Sequence, residues 1–213
     1  MSQSVINSTG PVVTLFEAYG SGAEQVGAKV AEALGVNFLS QQYASETIED
    51  AAAQRQDSED GFLMRFFKLF GQSTTDHLDN ILVPTDQHDD NQVVRNINRT
   101  LIDFTANGGV VLGRNGTVVL ASNPQALHVK LDGPVESRIA RAAELAGIDR
   151  ERAARRQVNE DEARAAMAQR LYNWDPRQND YYDLVVNTGR LSLDTAVEII
   201  VAAARIKVQH ASQ

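Results

Sequence analysis

The sequence has no cysteine and only four lysines, Lys29, Lys68, Lys130 and Lys207, among its twenty basic residues. Without cysteine there can be no disulfide framework and no thiolate metal site, and a reducing cytoplasm is allowed. An excess of positive charge is also missing. With 28 acidic residues the net charge is −8, which argues against nucleic acid as a partner, because that surface requires a basic footprint. No apolar run approaches the roughly 20 residues that cross a bilayer, and even residues 196–206 contain Glu198 and Arg205. Residues 1–10 are polar and lack the basic and apolar regions of a secretory signal. The expectation is a cytoplasmic protein with no membrane partner, whose 213 residues form one domain.

The stretch present at residues 11–35 organises the rest. Val12, Val13, Leu15 and Phe16 read as a buried strand, and Val26, Val30, Ala33 and Leu34 recur at helical spacing before a stop at Gly35. Between them lies Gly20-Ser21-Gly22. Glycines there let the backbone take positive φ and turn its N–H groups toward an anion at the positive end of a helix. The stretch reads either as a phosphate-binding loop or as an ordinary βα turn. A full Walker A loop would place lysine and a hydroxyl residue where Ala23 and Glu24 stand. Lys29 lies six residues further on, roughly 9 Å along a helix, and cannot replace that lysine directly.

Beyond it, residues 36–39 read as a second strand and 41–56 as a helix, which makes a βαβα start and hence a parallel sheet. Residues 57–85 hold Phe62, Phe66, Phe67 and Phe70, four of the seven phenylalanines. This helical insertion reads as a core-facing helix, with a homodimer interface through residues 62–70 or a flap over the acceptor pocket as alternatives. A long helix follows over 85–107, with Asp86 as N-cap. His88, Asp89 and Asp90 are consecutive, so they point different ways and make an acidic helix start, and no metal ligand set is assigned. Strands at 110–112 and 126–131 end at Gly113-Arg114-Asn115 and Asp132-Gly133-Pro134. Residues 135–172 read as helices divided by Gly147 and Asn159 and carrying eight arginines. A last strand at 183–186 and a helix at 191–208 close the chain.

Four stretches resemble the cytidylate kinase-like family of P-loop nucleoside monophosphate kinases: Gly20-Ser21-Gly22 with its helix, residues 110–119, residues 127–131 followed by Pro134-x-x-x-Arg138, and residues 182–188. Asp161-x-x-Arg164 sits where the family has Asp-x-x-Arg. The resemblance covers residues 12–205. It implies an α/β, three-layer fold with a five-stranded parallel sheet in order 2-3-1-4-5 and an arginine-rich lid over residues 135–175. It implies ATP and Mg²⁺ as cofactors and a small nucleotide as substrate. ATP would meet Gly20, Ser21, Gly22, Ala23, Glu24, Gln25, Arg138 and Thr188; the acceptor would meet Arg114, Asn115 and Asp161. The lid arginines would be Arg164 with Arg155 or Arg156. Each also has a plainer reading as a solvated helix face with an i,i+4 partner, Glu160 for Arg164 and Glu151 for Arg155. Two functions are carried forward: ATP- and Mg²⁺-dependent phosphoryl transfer, and a nucleotide-binding or structural pseudo-kinase. The second draws on Ala23, Glu24, Ser40 and Glu46, where the family pattern is broken.

Overall fold

The computed structural model describes residues 9–40, 49 and 90–211. Apart from Glu49, the expected helix at 41–56 with its Glu46, the phenylalanine-rich insertion at 57–85, and Asp86, His88 and Asp89 lie outside the described residues.

The strands are β1 (Val12–Glu17), β2 (Phe38–Leu39), β3 (Gly109–Leu112), β4 (Ala126–Asp132) and β5 (Leu184–Asn187). All pair in parallel, in the order β2-β3-β1-β4-β5, as the resemblance implies. Helices α1 (Ala23–Leu34) and α6 (Leu193–Ala211) pack together on one face. The chain also forms α2 (Asp90–Thr105), the one-turn α3 (Gly116–Val119), α4 (Val135–Ala146) and α5 (Arg150–Tyr172). On the α1 and α6 face the core is purely apolar: Val13 and Leu15 of β1 meet Val26 and Val30 of α1 and Ile200 and Ala204 of α6. A strand alternates its side chains, so Thr14 and Phe16 turn the other way. There Thr14 Oγ1 bonds Nδ1 of His128 at 2.8 Å and approaches Thr117 Oγ1 at 3.3 Å. Burial pushes His128 down to about 4, so the imidazole is neutral at ordinary pH.

Two local expectations change. Asn159 does not divide the arginine-rich stretch, because α5 runs unbroken for 23 residues. Its start is fixed by Asp149, whose side chain accepts from the Arg152 N–H at 2.7 Å, and its end by Asn173 at φ 53°. A single asparagine costs a helix interior well under about 1 kcal/mol, which packing of Ala153, Ala163 and Met167 overrides. β2 is shorter than residues 36–39, since Val36 is spent on closing α1, its N–H donating to Ala31 O.

Candidate functional site

The loop after β1 lies at the carboxyl end of the central strand, where open α/β sheets bind ligands. Gly20 has φ 76° and Gly22 φ 84°. A Cβ on Gly20 would stand 2.2 Å from the Arg138 carbonyl oxygen, so the loop is pressed against α4 more closely than any side chain allows. Gly22 caps α1 without a side-chain bond. The first N–H groups of a helix have no intrahelical acceptor, so Ala23, Glu24 and Gln25 present theirs at the loop's mouth. Ser21 is buried, and its Oγ has no hydrogen-bond partner among the described residues.

The back of the loop is held by charge. Tyr19 N–H donates to Asp161 Oδ1 at 2.8 Å. Arg138 Nη1 donates to Tyr19 O at 2.9 Å and to Asp161 Oδ2 at 3.0 Å, while its Nε reaches Gly133 O at 3.1 Å. Arg141, assigned no role from the sequence, donates to Gly20 O at 2.9 Å and to Thr188 O at 2.6 Å. Arg138 and Arg141 are one helical turn apart and therefore share a face. That spacing was a legible signal. Asp161, expected from the resemblance to meet the acceptor, bonds the back of the loop and also accepts from Gln157 at 2.8 Å. Arg138 likewise grips loop backbone, and Thr188 answers to Arg141 and to Asp132 O.

The arginines expected in the lid are neutralised by carboxylates. Arg164 Nη2 meets Glu160 Oε2 at 2.7 Å and Glu17 Oε2 at 3.7 Å, and its Nη1 lies 3.8 Å from Asp161. Arg156 is buried and donates twice to Glu49 Oε2, at 3.0 and 2.8 Å; Arg152 engages the same carboxylate. Arg155 is exposed and meets Glu151 at 3.1 Å. Both i,i+4 partners read from the sequence are therefore realised. These pairs leave their mark on acidity. Hydrogen bonds from Arg152 and then Arg156 hold Glu49 down at about 2. Burial pushes Glu17 up to about 7, against the pull of Arg164, with Glu160 and Glu24 adding to the rise. One oxygen of buried Glu160, Oε1, has no hydrogen-bond partner among the described residues.

The second rim is the turn after β3. Gly113, Arg114 and Asn115 follow one another at φ 71°, 53° and 54°. Left-handed conformation at two successive non-glycine residues is costly, on the order of 1 kcal/mol each or more, and such strain collects at functional sites. Arg114 Nη2 points to Ser40 O at 3.4 Å, and Ser40 Oγ donates to Glu24 Oε2 at 2.8 Å. Asp132 is engaged by Lys130 and Arg138, and Asp161 by Arg138 and Arg164. Asn115 Oδ1 accepts from Trp174 Nε1 at 2.9 Å, which fixes the turn to the chain after α5.

The donor set fits a polyphosphate: glycine-rich backbone, outward N–H groups and the helix start, with Arg114 across the rim. The lysine that would grip the outer phosphates is missing at Ala23. Among the described residues no three acidic or histidine side chains converge as a metal cage. Glu24 is the acid in the first turn of α1 and is the side chain that would hold a nucleotide-borne Mg²⁺, which would supply charge neutralisation for the phosphates.

The curated relatives bear on both halves of this description. A protein described as uronate isomerase from Corynebacterium glutamicum is 36% identical over 110 residues, covering 52% of this chain but 21% of its own length. The chain thus spans about a fifth of that relative. Cytidylate kinase from Methanopyrus kandleri is 28% identical over 203 residues, covering 90% of this chain and 92% of its own. Among solved structures, an uncharacterised protein from Eubacterium ventriosum superposes with a TM-score of 0.62 at 19% identity, over 92% of this chain and 98% of that one, which speaks for the fold alone. The sequence pattern of the cytidylate kinase-like family matches residues 12–190, and with the five-stranded order and the glycine loop at the end of β1 in place, the chain belongs to the cytidylate kinase-like family.

Proposed function

We propose that the protein transfers a phosphoryl group from ATP, with Mg²⁺, to a nucleoside monophosphate or another small anionic acceptor. The observation that carries this reading is the juxtaposition of two anion-suited features at one end of the sheet. The outward N–H groups of Ala23, Glu24 and Gln25 begin α1, and Arg114 leaves β3 on the adjoining rim. Phosphoryl transfer asks mainly for alignment and charge neutralisation, which backbone N–H groups, guanidinium groups and a bound Mg²⁺ supply. In this reading Arg164 changes partner, giving up Glu17 for a transferring phosphate. Among the described residues no helix is long and apolar enough to cross a membrane.

A second reading has its own observation. Arg164 and Arg156 are already paired with carboxylates, and the loop carries no lysine; a pseudo-kinase that binds nucleotide without transfer has no need of either arginine. Calorimetric titration with ATP and Mg²⁺, followed by a transfer screen across the nucleoside monophosphates and small phosphorylated and hydroxylated acceptors, separates the two. Binding with transfer is the expected result. Binding without transfer establishes the pseudo-kinase, and no binding at all refutes both.

A further inference from the structure

Arg141 joins two backbone segments that the sheet alone leaves independent. Its guanidinium donates through Nη1 to Gly20 O in the glycine loop, and through Nη2 to Thr188 O in the turn after β5. A further approach, 3.3 Å from Nη1 to Thr188 Oγ1, squares the fork on that turn. Thr188 is itself buried and anchored, its N–H and hydroxyl both donating to Asp132 O at the end of β4. The loop is thus referred, through one side chain, to the ends of β4 and β5. Among the described residues Arg141 bonds no carboxylate, and its charge stands behind the loop.

We propose that Arg141 is the positioning residue of the phosphate loop, doing from behind part of what a Walker lysine does from within. It would hold the Gly20 carbonyl turned away from the mouth, so that the N–H groups of the next residues stay aimed at the ligand. It would also place a positive charge behind the bound anion, and fix the distance between the loop and the Thr188 turn. Planarity matters here: a guanidinium has several donors in a rigid fork and can serve two carbonyls at once, whereas an ammonium is a single point of attachment. The loop's other tether, Arg138, is engaged with Asp161 and is needed for the packing of α4 on α5, so it cannot be tested without disturbing stability.

This inference rests on the proposed phosphate loop, and its test keeps the two apart. The full chain and its Arg141→Met and Arg141→Lys variants are titrated with MgATP and with inorganic tripolyphosphate, at a temperature well below each variant's unfolding midpoint. Arg141→Met is expected to lose on the order of tenfold or more in affinity for both ligands, the worth of one or two charge-assisted hydrogen bonds. Arg141→Lys, which keeps the charge and can reach one carbonyl, should recover part of that loss. Any transfer activity should show the change in KM for ATP far more than in kcat. A parent that binds neither ligand overturns the phosphate-loop reading and this role together. A parent that binds both while Arg141→Met binds them equally well overturns this role alone. If Arg141→Met is too unstable to titrate, Arg141→Lys decides: affinity equal to the parent's with a lowered unfolding midpoint makes the arginine purely structural and refutes the proposal.

Discussion

The two rims of the site are built on opposite plans. The glycine loop after β1 is held from behind by three charged side chains on two helices, Arg138 and Arg141 from α4 and Asp161 from α5, each bonded to loop backbone at 2.8 to 2.9 Å. The turn after β3 has two successive non-glycine residues in the left-handed region; Gly113 N–H joins it to Leu15 O at 2.8 Å, Asn115 accepts from Trp174, and Arg114 reaches Ser40 O at 3.4 Å. A phosphate common to every donor nucleotide needs one fixed array of N–H groups, so bracing is useful there. An arginine on a long side chain suits the opposite rim, since in the proposed function it is the group that meets the acceptor.

The contrast is broken most sharply at Arg138. Its side chain is buried and paired with Asp161, and Arg138→Met leaves that carboxylate short of its counter-ion. Removal of one partner of a buried pair typically costs about 3 to 5 kcal/mol. Because Asp161 is about a quarter exposed and keeps its bond to Tyr19 N–H, we expect about 3 kcal/mol, measured by urea unfolding. A loss under about 1 kcal/mol shows that the loop is not braced by charge.

Next in size is the loop itself. Ala23→Lys combined with Glu24→Ser restores the lysine and hydroxyl of a Walker loop and should tighten MgATP by about 1 to 3 kcal/mol. Calorimetry reads it; an unchanged affinity in a variant of parental stability means the loop does not wrap phosphates in this register.

Glu17 separates the loop from the arginines of α5. Its folded-state value is about 7 against 4.5 in the unfolded chain, so the folded state favours the protonated acid. Stability from this group is therefore greatest below pH 4.5, falls as pH rises from 4.5 to 7, and is level above that. Glu17→Gln abolishes that decline. With the side chain about a quarter exposed, the gain over the parent should be about 1 to 2 kcal/mol at pH 8 and vanish near pH 4.5, read from unfolding curves across that range. A gain that grows toward acid pH reverses the assignment. Glu49 acts in the opposite direction, its pairing with Arg152 and Arg156 being lost only as pH falls from 4.5 toward 2, so the two effects separate along the axis.

The smallest effect tests the rim that carries Arg114. Arg114→Lys should lower acceptor affinity by about 1 kcal/mol, the difference between a bidentate and a point contact, and leave MgATP binding unchanged. Competition binding with candidate monophosphates measures it. Equal losses for both ligands, or a loss of folding, place Arg114 in the structure of the site instead of in its specificity.

What the sequence determined by itself was whatever depends on neighbours along the chain. The apolar, β-forming run of Val12, Val13, Leu15 and Phe16, the glycine pair and the helical spacing of Val26 and Val30 specify a strand, a turn and a helix locally, and their repetition specifies a parallel sheet. The i,i+4 pairs of α5 belong to the same class, since Arg164 finds Glu160 and Arg155 finds Glu151 within one helix. The tertiary structure alone decided which charges meet across long separations. Asp161 reaches Tyr19 across 142 residues, Arg141 reaches Gly20 across 121, and Glu17 comes to lie against Arg164. A charged side chain in a sequence looks the same whether it faces water, a ligand or a buried carboxylate. Only the packing of α4 and α5 near the end of β1 withdraws water from Glu17, Glu160 and Arg138 and brings arginines that the sequence offers as ligand contacts against loop backbone and carboxylates, because desolvation is set by what surrounds a group in space.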